Sequence, residues 1–189
     1  MSAITLLAAA AYRTMPWRNG LGTTVEIALD PGADGRFHWR LSIADVAQSG
    51  PFSLFDGYDR VIAVVAGAGM RLAVAGRPRV LIDQESAPHA FPGDAATDCA
   101  LIDGPIRDFN LIFDRATADG SVVALKAPQS IALAGGTALL HARVGSLQVD
   151  AGTEGGWSVP EGDTLRLDGV NGTIAVASGQ ALLVRVQRR

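Results

Sequence analysis

The chain has 189 residues, 48% hydrophobic and 19% charged, which is ample for a packed core and excludes a disordered chain. Its formal net charge of −3, with 16 Lys and Arg scattered along the sequence, gives no basic field to attract nucleic acid. One cysteine, Cys99, excludes an internal disulfide and a cysteine-framed zinc site; no apolar run of about 18 residues offers a membrane span, and a reducing cytoplasm is the expected location. The opening residues end in alanines like a signal peptide but lack a basic start, and they read as a first strand.

Residues 16 to 26, Pro-Trp-Arg-Asn-Gly-Leu-Gly-Thr-Thr-Val-Glu, combine turn chemistry with an aromatic plane, a guanidinium and an amide at Trp17, Arg18 and Asn19. This loop feeds a strand whose alternation puts Val25, Ile27 and Leu29 on one face and Thr24, Glu26 and Ala28 on the other. Asp30 to Gly35, including Asp34, reads as a hairpin turn into a second strand, Phe37 to Ala44. There His38, Arg40, Ser42 and Ala44 oppose Phe37, Trp39, Leu41 and Ile43. Residues 45 to 60 are too polar and too broken by Gly50, Pro51 and Gly57 for one strand, so they read as a long loop with aromatics at its tip. Val61 to Val65 and Met70 to Val74 are strands about a Gly67-Ala68-Gly69 turn. Phe91-Pro92-Gly93-Asp94 returns in altered form as Val159-Pro160-Glu161-Gly162-Asp163, which hints at a duplication with the two turns in equivalent places. Arg107 to Phe113 alternates again, with Asp108, Asn110 and Ile112 opposite Phe109, Leu111 and Phe113. Residues 116 to 127 admit a short helix, Asn171-Gly172 signals a hairpin, and Ala181 to Val186 is a closing apolar strand. Short alternating runs between 22 glycines and 9 prolines make the fold class all-β, a sandwich or barrel.

Six motifs in order over about residues 12 to 115 carry a resemblance: Pro16-Trp-Arg-Asn-Gly with Thr-Val-Glu, Trp39-Arg-Leu-Ser, Gly50-Pro-Phe-Ser-Leu-Phe, Gly57-Tyr-Asp-Arg, Phe91-Pro-Gly-Asp and Asp108-Phe-Asn. Together they are similar to the HutD/Ves family of bacterial proteins. The chain departs from that pattern at Leu21, Asp56 and Asp114, where the family favours glycine, proline and a basic residue. The resemblance implies a cupin fold, an RmlC-like jelly roll in two tandem units (a bicupin), here residues 1–115 with the ligand pocket and 116–189 as a smaller second unit. It further implies a link to histidine utilisation and binding of formylglutamate or a similar carboxylate.

A metal-binding cupin needs a close His-x-His pair with further donors, whereas His38, His89 and His141 stand far apart in sequence; no metal and no cofactor are expected. No Gly-x-Ser-x-Gly elbow, phosphate loop or dinucleotide fingerprint is present, and Cys99 sits in an apolar context that suits a structural thiol. The polar strand faces are what remain. Alternation alone does not say whether they face solvent or a barrel interior; the resemblance favours the interior. The candidate ligand-binding residues are then Trp17, Arg18, Asn19, Glu26, Arg40, Ser42, Arg60, Asp108 and Asn110, with Arg18, Arg40 and Arg60 as carboxylate clamps. The leading expectation is a non-enzymatic binding protein with a regulatory role. Two alternatives stay open: a metal-independent isomerase or lyase with Glu26 or His38 as general base, and a stress-related structural or interaction protein. The expected partner is a small carboxylate, with neither nucleic acid nor membrane, and a homodimer is left open.

Overall fold

Short runs rich in Val, Ile and Leu, each closed by glycine or proline, bury one face per run as strands and are too short for stable helices. A computed structural model describes residues 2–17, 22–33 and 35–189. The Asn19-Gly20 turn, Leu21 and Asp34 lie outside the described residues. In chain order the first strands are β1 (Ala3–Leu7), β2 (Arg13–Pro16), β3 (Gly22–Pro31), β4 (Phe37–Val46), β5 (Gly50–Pro51), β6 (Tyr58–Ala66), β7 (Met70–Val74), β8 (Val80–Ile82), β9 (His89–Pro92), β10 (Thr97–Leu101) and β11 (Ile106–Asp114). There follow β12 (Ala118–Lys126), β13 (Gln129–Ala134), β14 (Thr137–Val144), β15 (Leu147–Asp150), β16 (Gly156–Val159), β17 (Thr164–Asp168), β18 (Asn171–Val176) and β19 (Gln180–Arg188). The only helices among the described residues are single 3-10 turns at Ala9–Ala11 and Gly152–Glu154.

Contacts divide the chain into two units, Arg13–Asp119 with Arg189, and Gly120–Arg188 with the residues up to Tyr12. The first contains a six-stranded sheet in the order β2-β3-β4-β11-β6-β9 and a four-stranded sheet β5-β10-β7-β8. Its apolar core joins Val46, Ile62 and Val64 of the large sheet to Met70, Leu72 and Cys99 of the small one. The second contains β1-β17-β14-β19-β12 and β13-β18-β15-β16, with an interior filled by Leu133, Leu140, Leu147, Leu165, Leu167 and Leu183. The sequence-based division at 115/116 keeps β1 with the first unit, whereas its backbone partners lie on β17.

The strand pairings of the two units correspond. In the first, β6 pairs with β9 and β11, and β7 pairs with β8 and β10. In the second, β14 pairs with β17 and β19, and β15 pairs with β16 and β18. The Pro-Gly-Asp turns nevertheless do not correspond: Pro92-Gly93-Asp94 follows β9, whereas Pro160 to Asp163 precedes β17. Tight turns reuse the same few residues, so a short likeness of this kind marks a turn and not its position. Two further readings are corrected. Residues 118–126 form a strand beside β19, because a sheet edge supplies partners that local helix propensity does not outweigh. Asn171 and Gly172 open β18 and pair with Ala134 and Leu133 of β13, so no hairpin turn forms there.

Candidate functional site

Three antiparallel strands of the large sheet bring the polar faces together. Arg40, Ile112 and Arg60 form one cross-strand row, Ser42, Asn110 and Ile62 the next, and Ala44, Asp108 and Val64 the third. Residues opposite each other in register share a face, so Arg40, Ser42, Arg60, Asp108 and Asn110 all lie on the side that bears the apolar core further along. A cavity of about 740 Å³ opens there, lined also by Trp17, Thr24, Gln48, Phe52 and Phe55. Its size falls in the ordinary range of small-molecule sites, about 300–1,000 Å³. Asp108 is 1% exposed, Ser42 2%, Asn110 4% and Arg60 7%. A solvated sheet face is thereby ruled out for these residues.

Buried polar groups must find partners, and here they form a chain. Arg60 Nη2 donates to Asn110 Oδ1 at 2.7 Å, and Asn110 Nδ2 donates in turn to Asp108 Oδ1 in a short contact. The amide therefore stands between the cation and the carboxyl. Burial pushes the Asp108 carboxyl up to about 7, while the Arg60 charge and the Asn110 hydrogen bond pull in the opposite sense. Burial lowers Arg60 to about 10, against the attraction of Asp108 and aided by the like charge of Arg40; Arg40 is lowered by burial and raised by Glu26. Phe52, Phe91 and Phe55 surround the Arg60 guanidinium with ring centroids 4.9, 5.1 and 5.6 Å away, and Arg40 lies over Phe37 and Phe55 at 5.1 and 5.5 Å. The Nε atoms of Arg40 and Arg60 are buried and, among the described residues, meet no hydrogen-bond acceptor.

The aromatic loop that supplies Phe52 and Phe55 is anchored by backbone. Phe52 N donates to Thr97 O at 2.9 Å, Phe55 N to Gly93 O at 2.8 Å, and Gly93 N to Tyr58 O at 2.7 Å. A Cβ at Gly93 would lie 2.9 Å from Tyr58 O and 3.2 Å from Phe55, so glycine is what lets the turn dock. Asp94 and Asp59 both receive Arg115, which also donates to Tyr58 O. On the other wall Trp17 Nε1 donates to Thr24 Oγ1 at 2.8 Å.

Among the sequence-derived candidates, Trp17, Arg40, Ser42, Arg60, Asp108 and Asn110 line the cavity. Arg18 and Asn19 lie outside the described residues. Glu26 pairs with Ser42 on the sheet but does not line the cavity, and it acts on Arg40 through charge. A register shift between Glu26 and Ala28 sets Leu29 opposite Arg40, so the simple alternation read for β3 holds only before the bulge. Sequence reasoning misses the cage residues Phe52, Phe55 and Phe91. Their signal is present in the chain: aromatics at both ends of a loop, and a Phe-Pro-Gly-Asp turn to fasten it. His38 Nδ1 meets Thr117 Oγ1 at 2.8 Å, His89 stacks on Phe91, and His141 Nδ1 meets Thr164 Oγ1 at 3.0 Å. Among the described residues no group of three or more His, Cys, Asp or Glu converges as a metal site. Cys99 is buried against Met70, and burial pushes its thiol up to about 11, the pattern of an inert structural cysteine. No helix among the described residues is long and apolar enough to cross a membrane.

The HutD family model matches residues 9–184. The chain belongs to the HutD family. An uncharacterized 21.2 kDa protein in the hutC 3′ region of Pseudomonas putida is 52% identical over 116 residues, 60% of this chain and 60% of its own length. Protein Ves of Citrobacter koseri is 38% identical over 107 residues, 54% of this chain and 56% of its own. The matches thus span little more than half the length of these curated relatives. HutD from Pseudomonas fluorescens SBW25, in a structure from a formate condition, superposes with a TM-score of 0.89 at 38% identity, covering 99% of this chain and 100% of that one. A cupin 2 conserved barrel domain protein from Leptotrichia buccalis gives a TM-score of 0.56 at 9% identity over 89% of each chain, a likeness that shows the cupin-like fold alone.

Proposed function

We propose that this HutD-family chain is a non-enzymatic binding protein for a small carboxylate of the formylglutamate type, with a regulatory role in histidine utilisation in the cytoplasm. The observation that carries the reading is the pair of guanidinium Nε atoms, on Arg40 and Arg60, buried beside one cavity without acceptors among the described residues. A buried charged donor left unpaired costs on the order of 1–3 kcal/mol or more, and a carboxylate oxygen relieves that cost through charge-assisted hydrogen bonds. Two guanidiniums suit two carboxylates, and Ser42, Thr24 and Gln48 supply neutral partners for an amide or formyl group. The hutC neighbourhood of the Pseudomonas putida relative supports the link to histidine utilisation. Each unit is read as one cupin-type jelly roll, two in tandem, on the strength of their corresponding strand pairings.

Thermal scanning tests the proposal. N-formylglutamate at about 100 times its dissociation constant stabilises the native state by roughly 2.7 kcal/mol, a rise of several degrees in Tm. Arg40→Ala should abolish the rise while the protein stays folded, and Arg188→Ala, outside the cavity, should keep it. No rise at millimolar ligand, or an unchanged rise in Arg40→Ala, counts against the reading. A second reading, a metal-independent isomerase or lyase, is favoured by one observation: Asp108 is a cavity-lining carboxyl with a proton affinity near neutral, as a general acid or base needs. An NMR time course in which N-formylglutamate is unchanged after overnight incubation would remove that activity on this compound.

A further inference from the structure

We propose that the cavity takes its anionic ligand together with one proton, which Asp108 carries in the complex. This rests on the carboxylate-binding reading above and deepens it by naming the ionic state in which the site binds.

Asp108 lines the cavity between Ala44 on β4 and Val64 on β6, two apolar neighbours that leave its carboxyl poorly solvated. No cation pairs with it directly among the described residues. Arg60 gives its Nη2 to Asn110, which in turn donates to Asp108, and the Arg60 charge lowers the Asp108 proton affinity without overcoming burial. The groups that act on Asp108 or share its cavity come from several strands: Arg60 on β6, Arg40 and Asp45 on β4, and Cys99 on β10, while Glu26 on β3 acts on Arg40. Two guanidiniums are therefore opposed by Asp108 and by Glu26 before any ligand arrives. A dicarboxylate added to an ionised Asp108 would leave the cavity with more negative than positive charge in a low-dielectric setting, where like charges repel strongly. A neutral Asp108 removes that repulsion. It also turns one carboxyl oxygen from acceptor into donor, able to serve a ligand oxygen.

The proton is cheap to supply near neutrality, because burial already holds Asp108 at about 7 without a ligand. Its neighbours do not compete for it: Cys99 is pushed up to about 11 and stays a thiol, and Arg60, lowered to about 10, stays a cation. The ligand dianion and one solvent proton enter, the proton bonds to an Asp108 oxygen, and nothing leaves but water. Below the pKa of free Asp108 the proton is already in place, so affinity is flat with pH. Above it, a rise of one in pH weakens binding by up to about tenfold, since one proton is linked to one ligand.

Isothermal titration of the full chain with N-formylglutamate, in HEPES and in Tris at pH 8 and in MES and piperazine at pH 5.5, tests this, because the two buffers of each pair release a proton with different heats. The ligand is fully ionised there, so the difference in heat counts protons taken up by the protein. The expected result is close to one proton per ligand at pH 8, close to none at pH 5.5, and a Kd that rises about tenfold for each pH step of one above neutrality. Asp108→Asn should bind with no proton uptake and a pH-independent Kd. Should that variant fail to fold, the buffer pair on the parent chain decides alone. Binding without proton uptake at pH 8, or Asp108→Asn with the parent's pH dependence, overturns the proton coupling and leaves carboxylate binding standing. No binding anywhere from pH 5.5 to 8.5 overturns both.

Discussion

Arg60 shows how a cation is kept inside an apolar fold without being neutralised. Its guanidinium plane is enclosed by Phe52, Phe55 and Phe91, one nitrogen is tied to Asn110, and its Nε edge meets no acceptor among the described residues. A planar, delocalised cation suits this surround; an ammonium does not. Arg60→Lys should therefore lose at least tenfold in N-formylglutamate affinity by calorimetry while the Tm falls only modestly, and equal affinity would contradict the role given to the fork. Asp108 makes the complementary prediction for stability. Its carboxyl in the folded state is raised to about 7, above the unfolded value, so the native state binds that proton more tightly between about pH 4 and pH 7. Its contribution to stability is present below about pH 4 and is lost as pH rises through about 7. A tenfold difference in proton affinity between the folded and unfolded chain is worth about 1.4 kcal/mol, so Asp108→Asn should gain on the parent by a few kcal/mol between pH 4 and pH 8 in urea denaturation. A difference between the two proteins that stays constant with pH would show that Asp108 is not raised.

The elements around the cavity are fixed by close backbone approaches, which argue for particular residues. Gly22 begins β3 where a Cβ would fall 2.4 Å from Asp45 O on β4 and 2.9 Å from the Trp17 ring. Gly22→Ala forces either the strand pairing or Trp17 to move. Overpacking of this kind costs about 1–3 kcal/mol. The measurable outcome is a Tm lowered by several degrees together with weaker ligand binding; a variant unchanged in both would contradict the packing described for Trp17. Alternation in the sequence places Arg40 with Ser42 and Asp108 with Asn110, and the β4–β11 register then sets Ser42 opposite Asn110. What alternation lacks is the inside. Whether a polar face meets water or a cavity depends on the small sheet and the aromatic loop, and these are packed by contacts distant in sequence. The bulge in β3 is equally hidden, since one extra residue leaves no mark in a run such as Thr-Val-Glu-Ile-Ala-Leu.

At the scale of the molecule, the two units use corresponding strand pairings to different ends. One keeps polar rows and a cavity, and the other fills its interior with leucine and valine. The likeness of the two units is barely legible in the sequence, because the motif that hints at it falls at non-corresponding turns, while the strand pairings that correspond have no local signature. The division of labour makes a prediction. Leu140, fully buried in the second unit, should cost about 2–5 kcal/mol of stability as Leu140→Ala yet leave the N-formylglutamate Kd unchanged, since every residue lining the cavity lies between Met15 and Ile112. A large change in Kd for that variant in its folded state would refute the assignment of binding to the first unit. A crystal structure of the chain with N-formylglutamate would show directly whether the cavity holds a carboxylate on Arg40 and Arg60. Ligand carboxylate oxygens should lie within about 3 Å of Nε on both arginines, at the usual charge-assisted distance. Ligand seated elsewhere, or turned so that neither Nε gains an acceptor, would contradict it.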